Sequence, residues 1–176
     1  GLRQATRCRA IGLYQFHRPD PQVPYADSIG AIRDLLDEGV IQLAGISNAG
    51  VEQIDLANLI LGGRLVSVQN QFSPAHRSSL AELEHCAEIG IAFLPWRPLG
   101  GIANAAELGD RHAAFAQVAA NHGVSPQQVT LAWELALAPV VIPIPGASRP
   151  ASIQDSAKAA ELALTAAEID ALTAAV

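Results

Sequence analysis

Five short runs of mostly apolar, often β-branched residues punctuate the chain: IGLYQFH (11–17), VIQLAGISN (40–48), LVSVQNQFS (65–73), GIAFLPWRPL (90–99) and VVIPIPGAS (140–148). Each predicts a strand, since branched side chains suit a pleated surface and the runs are too short for buried helices. They recur every 23 to 30 residues or so until the last interval, and the intervening stretches carry apolar residues at helical spacing. Residues 25–38 set Ile29, Ile32, Leu35 and Leu36 on one face, with Gly39 as the terminator. Residues 50–62 repeat the design with Val51, Ile54, Leu56, Leu59 and Leu61 before Gly62 and Gly63, and residues 78–89 do so again before Gly90.

Between the fourth and fifth runs the pattern predicts two helices, 111–121 and 126–137. Ser125 is placed to cap the second, and Pro126 suits its first position, where no amide partner is lost. Two more follow at 150–160 and 165–175, the last opened by Thr165 with Glu168 three residues on, the signature of a capping box. Strands apolar almost throughout and joined by helices must lie parallel, covered on both faces or closed on themselves. An open doubly wound sheet usually announces itself by a GxGxxG turn after its first strand, and the chain has none. A (β/α) barrel collects polar residues at the carboxyl ends of its strands, and here those ends carry His17, Ser47-Asn48, Gln69, Trp96-Arg97 and Gly146 to Arg149. The expected class is therefore α/β: a partial TIM (β/α)8 barrel of about five parallel strand–helix units plus C-terminal helices, one domain over 1–176.

Composition narrows the function. Half of the 176 residues are hydrophobic, which opposes disorder. The net charge of −6, with a single lysine, Lys158, leaves no basic stripe for a run of phosphates, so nucleic acid is not an expected partner. No apolar run approaches the roughly 18 residues that span a bilayer, and the first ten residues lack the apolar core of a secretory signal. The chain reads as soluble and cytoplasmic with no membrane partner. Cys8 and Cys86 have no metal-ligand spacing and are expected as buried thiols. The absence of methionine and an opening that reads as mid-helix suggest a truncated product, removal of an initiator methionine before Gly1 being the alternative.

Taken singly, each strand-end residue has an ordinary reading. His17 suits a hydrogen-bonded structural histidine, Ser47 and Asn48 suit helix caps, the Gln69 amide suits a loop carbonyl, and Trp96 between two prolines suits a plug at a barrel mouth. The segment IPIPGASRP says more: a strand running into Gly146, Ser148 and Arg149 at a helix start aims amides, a hydroxyl and a guanidinium at one point, which suits a phosphate.

In order and spacing, LYQFHRPDP, GISN, VQNQFS, PWRPLGG and VIPIPGASRP resemble the aldo-keto reductase family, over nearly the whole chain. The resemblance implies a TIM barrel that reduces small-molecule carbonyl substrates with NADP(H), the chain supplying strands four to eight. It implies a catalytic role for His17, a nicotinamide-carboxamide site at Ser47, Asn48 and Gln69, and ring stacking on Trp96. It further implies a pyrophosphate path along Arg97, Leu99 and Gly100. Gly146, Ala147, Ser148 and Arg149 fall at the 2'-phosphate, with Arg149 selecting NADP over NAD. Asp155 falls near the adenine, while Ser156 departs from the asparagine common there. The family's catalytic tyrosine, lysine and aspartate come from earlier strands and have no match, since Tyr14, Tyr25 and Lys158 lie in the wrong places. A barrel of about 250 residues would also need three more units. The expectations that follow are weak cofactor binding, negligible turnover, and self-association through open strand edges.

Overall fold

The computed structural model describes residues 10–101, 105 and 107–176. Parallel strands β1 (Ile11–Phe16), β2 (Ile41–Ser47), β3 (Leu65–Gln69) and β4 (Ala92–Phe93) form one sheet in chain order. A fifth segment joins only through isolated parallel bridges, Val141 to Phe93 and Ile144 to Trp96. Its amides Ile142 N and Ile144 N donate to Phe93 O and Pro95 O at 2.8 and 3.1 Å. The strand expected over 140–148 is thus reduced to two bridges. Pro143 and Pro145 have no N–H to extend a ladder.

Helices α1 (Tyr25–Asp37), α2 (Val51–Ile60) and α3 (Leu80–Ile89) connect the first four strands. Ile29 and Ile32 of α1 are buried, as its stripe predicts. In α2 Ile54 and Leu61 are buried as expected, together with Ala57, while Leu56 and Leu59, expected with them, are exposed at 38% and 77%. Positions 54, 57 and 61 share a face that 56 and 59 cannot reach at 100° per residue. Gly90 closes α3 in the left-handed region (φ 73°), donating to Cys86 O, which only glycine adopts without strain. Cys86 itself is a buried free thiol, pushed up to about 12 by burial and then by Glu82; Cys8 lies outside the described residues.

After β4 come α4 (Leu108–Arg111), α5 (Ala113–His122), α6 (Pro126–Leu137), α7 (Pro150–Ala157), a 3-10 turn (Lys158–Glu161) and α8 (Ala166–Ala174). Ser125 caps α6 by accepting from Gln128 N with Pro126 in the first turn, and Thr165 with Glu168 forms the expected capping box on α8. The core lies between the sheet and these helices. Trp133 of α6 stacks on Phe72 at 6.1 Å and meets the edge of Phe115 at 5.6 Å. Tyr14, Phe16, Ala44, Ile46, Val68 and Phe93 belong to this helix-facing side of the strands.

The opposite face is concave and open. Register pairs Leu13 with Leu43, and both are exposed at 41% and 47%, as is Ile142 of the fifth segment at 54%. Deeper on that face Gly45 lets two chains approach. A Cβ there would fall 2.3 Å from Ser67 Oγ and onto the Gln15 amide, which donates to Ile46 O at 2.6 Å and accepts from Ser67 Oγ at 2.9 Å. Four parallel strands and a bridged fifth, each followed by helix, make a sector of a (β/α) barrel whose interior face is uncovered among the described residues.

Candidate functional site at the strand ends

Because all strands run parallel, the residues that end them share one rim. His17 follows β1 with its side chain exposed, and its carbonyl accepts from Asn48 Nδ2 at 2.9 Å. The same Nδ2 reaches Ser47 Oγ at 3.0 Å, and Ser47 Oγ donates to Gln69 O at 2.5 Å. This ties β1, β2 and β3 together at the rim. Every donor of that relay is engaged, while Asn48 Oδ1 and the side-chain amide of Gln69 make no hydrogen bond among the described residues. They are left facing whatever occupies the rim, which suits a ligand offering both donor and acceptor, as a carboxamide does.

One step above Gln69, Gln71 bridges to Trp96, and Trp96 bridges on to Ile144. Gln71 shares the face of Ser67 and Gln69 by the two-residue period and stands level with the indole, so it belongs to the same group of amides. Sequence reasoning stopped at Gln69; the signal for Gln71 was that parity, carried one pair further along VQNQFS. Asn70, on the other face, is spent structurally: it accepts from Ala49 N at 3.2 Å and donates to Ala49 O at 2.8 Å.

Trp96 is half-buried, its Nε1 sealed from solvent with no acceptor, and the Arg97 guanidinium lies 5.5 Å from its ring centroid. Asn48 and Arg97 are the two described non-glycine residues with positive φ, 56° and 54°. Such backbone is sparsely populated by L residues and collects at functional sites. Beyond Leu99 opens a cavity of about 500 Å³ lined by Ser125, Gln127, Gly146, Ala147, Ser148, Arg149 and Asp155. Arg149 has no ion pair among the described residues and sits directly before α7, where Pro150 has no N–H and the Ser152 and Ile153 amides donate back to Arg149 O at 3.1 and 3.4 Å. Asp155 is differently employed: its two oxygens accept from Ser125 Oγ (2.6 Å) and Gln128 Nε2 (2.5 Å), bracing α7 against α6. The described residues hold no cluster of three metal-binding side chains and no helix long and apolar enough to cross a membrane.

The rim therefore brings together His17, Ser47, Asn48, Gln69, Gln71 and Trp96, and the loop Arg97 to Gly100 connects them to the cavity at Gly146–Arg149. The architecture is that of a (β/α)-barrel sector with a polar site at the carboxyl ends of its strands. The aldo/keto reductase family model matches residues 2–176, and the chain belongs to that family. It is 36% identical to an uncharacterized oxidoreductase of Schizosaccharomyces pombe over 89% of this chain and 49% of that one. It is 33% identical to pyridoxine 4-dehydrogenase of Escherichia coli over 78% of this chain and 46% of the relative. The chain thus spans about half the length of these curated relatives. Among solved structures, a thermostable aldo-keto reductase in complex with the inhibitor epalrestat superposes with a TM-score of 0.88 at 26% identity, covering 99% of this chain and 63% of that one. An aldo-keto reductase from Klebsiella pneumoniae solved with NADPH gives 0.83 at 21% identity, over 98% and 61% of the two chains, a likeness of fold alone.

Proposed function

We propose that the chain is the cofactor-holding part of an NADP(H)-dependent aldo-keto reductase acting on small carbonyl compounds. The observation that carries the reading is the single rim on which open amide groups, a half-exposed indole and an unpaired arginine succeed one another in strand order. These residues fit a nicotinamide dinucleotide. Asn48 Oδ1 with the Gln69 and Gln71 amides would hold the carboxamide, and the Trp96 face would receive the ring. Ser148 and the Arg149 guanidinium would hold the 2'-phosphate, with Arg97, Leu99 and Gly100 along the pyrophosphate and Asp155 braced beside the adenine end. When bound, the cofactor supplies hydride to the carbonyl carbon. His17 stands at the rim to orient the carbonyl oxygen, and the Ser47–Asn48 relay fixes its backbone.

Reduction also needs a proton at that oxygen, and among the described residues no tyrosine or lysine stands there to supply it. Tyr25 donates to Gln53 O at 3.2 Å and is pushed up to about 12 by burial, Tyr14 faces the helices, and Lys158 lies in the late 3-10 turn. The expected behaviour of the chain alone is weak NADPH binding and negligible turnover. A non-catalytic dinucleotide-binding role rests on the same observation and would show as tight NADPH binding without turnover.

The test is NADPH titration of the 176-residue chain alongside NADPH consumption with a small aldehyde. Measurable binding that Arg149→Ala weakens by about tenfold or more, with NADH little affected, supports the reading, since a charged hydrogen bond is worth about 1.5–3 kcal/mol. Loss of all nicotinamide binding, or turnover at the rate of a full-length relative, overturns it. The open β1 and fifth-segment edges and the uncovered concave face should drive self-association. A monodisperse monomer in sedimentation would count against that.

A further inference from the structure

Register aligns the side of the sheet that faces away from the helices into rows. Leu13 pairs with Leu43 in the lowest, and both are exposed. Gln15 pairs with Gly45, and Gly45 with Ser67, in the next. Ser47 pairs with Gln69 in the row above, where His17 follows β1 at the same two-residue period. Between the first two rows the β2–β3 ladder is irregular. Ala44 pairs with Leu65 but Gly45 with Ser67, so two steps of β3 answer one of β2 and Val66 is the extra residue. An interruption of this kind leaves the alignment of everything above it to be set locally.

One side chain spans that place. Gln15 lies across β2 over Gly45, where a Cβ would fall on its amide, and it reaches the strands on both sides. Its Nε2 donates to Ile46 O at 2.6 Å, and its Oε1 accepts from the buried Ser67 Oγ at 2.9 Å. The first bond holds more than one atom, because the carbonyl of Ile46 and the N–H of Ser47 share one rigid peptide plane. Fixing that plane aims Ser47, whose Oγ donates to Gln69 O at 2.5 Å and accepts from Asn48 Nδ2 at 3.0 Å. Gln69 O also accepts from Asn48 N at 3.1 Å, so the left-handed turn at Asn48 (φ 56°) hangs on the same two strands. A leucine at position 15 would cover Gly45 with comparable volume and spare the cost of placing an amide beside Leu13 and Leu43, but it would carry no directional bond.

We infer that Gln15 is a positioning residue for the rim: its amide, clamped between Ile46 O and Ser67 Oγ, sets the alignment of Ser47, Asn48 and Gln69 just past the β2–β3 irregularity. It acts through those residues and touches no reacting atom. Its consequence for nicotinamide binding rests on the reductase reading, since Asn48 and Gln69 are the groups that would meet the carboxamide. The clamp on the rim does not.

The test follows the Asn48 side-chain amide protons by nuclear magnetic resonance, and NADPH affinity by titration, in the 176-residue chain. Gln15→Leu removes both bonds at similar volume. Gln15→Glu restores them conditionally: the introduced carboxyl matches the amide while protonated, but once ionised it has no donor for Ile46 O. Expected are displaced Asn48 signals in Gln15→Leu, together with NADPH affinity lower by about threefold to tenfold, the worth of one neutral hydrogen bond. In Gln15→Glu the Asn48 signals should match wild type in acid and move to their Gln15→Leu positions as pH rises from about 4 to about 8, across the carboxyl titration. Wild type scanned alongside removes any contribution from His17. A side chain that merely fills space would leave Gln15→Leu like wild type and Gln15→Glu without a pH dependence of its own, and either result overturns the clamp. Should Gln15→Leu fail to fold, which near-ultraviolet dichroism reveals, Ser67→Ala removes one bond only, and unchanged Asn48 signals there have the same force. Displaced signals with unaltered NADPH affinity overturn the link to the cofactor. Displaced signals in a chain that ignores NADPH even as wild type sink the reductase reading and leave the clamp standing.

Discussion

Glu134 shows how one side chain sets the response of the protein to pH. It sits on α6 with its side chain fully buried, neither carboxylate oxygen has a partner, and burial pushes its pKa well above the usual carboxylate range. The folded state therefore holds a proton that the unfolded chain releases near pH 4.5, so stability contributed by this group is full below that point and declines as pH rises towards the folded value. Glu168 acts in the opposite sense. Its carboxylate accepts from Thr165 N and lies 2.8 Å from His122 Nε2, which lowers its pKa to about 2, so its contribution is present above the unfolded value and is lost only in strong acid. Thermal melts should accordingly fall from pH 5 to pH 8, Glu134→Gln should flatten that slope, and Glu134→Leu should raise stability at pH 8 by about 1–3 kcal/mol. A melting temperature of Glu134→Leu equal to wild type at pH 8 would refute this. At Gly45, alanine must displace a Gln15 amide fixed by two hydrogen bonds, and a loss of about 1–3 kcal/mol in urea unfolding is expected. Neither position was legible in the sequence. A glutamate in an apolar helix reads as a solvated face, and a glycine in a strand reveals a close approach only when its cross-strand neighbours are known.

At the scale of elements, local chemistry was readable wherever it is carried by a cap. Ser125, Pro126, Thr165 and Glu168 do in the structure what their spacing predicts, because a cap depends on residues three apart and on nothing distant. Ser125 does more, since its hydroxyl also donates to Asp155 at 2.6 Å and so joins α6 to α7. Ser125→Ala should cost about 1–2 kcal/mol, the upper part of the range for a cap alone, and circular dichroism melts would detect it. Elements that depend on neighbours were less legible. The fifth segment has a strand's composition and only two bridges, and the α2 stripe, right at Ile54 and Leu61, also included Leu56 and Leu59, which face solvent. Both errors come from tertiary context, the first from prolines at an edge and the second from which neighbour the helix packs against. The strand-end residues meet on one rim because a parallel sheet sends every carboxyl end to the same side, whatever the fine boundaries of each strand.

For the molecule as a whole, the concave face is the dominant unsatisfied feature. Leu13, Leu43, Ile142 and Ile144 are all exposed, and the two-residue period assigns them to the side away from the helices. Replacing Leu43 by glutamine should lower dye binding by exposed apolar surface and raise solubility, with little change in the cooperative melt, because the residue is 47% exposed and contributes little buried area. An unchanged dye signal would place the sticky surface elsewhere.

The two tryptophans differ in a way that makes the protein its own optical gauge. Trp133 is sealed among Phe72, Phe115 and Arg77, while Trp96 is only partly buried beneath Arg97. The blue edge of the emission therefore belongs to the interior and the red edge to the mouth of the barrel, so that unfolding and the arrival of a planar guest extinguish different wavelengths. With phenylalanine at position 96, the spectrum would report the interior alone, and the difference between the two proteins would time every event at the rim.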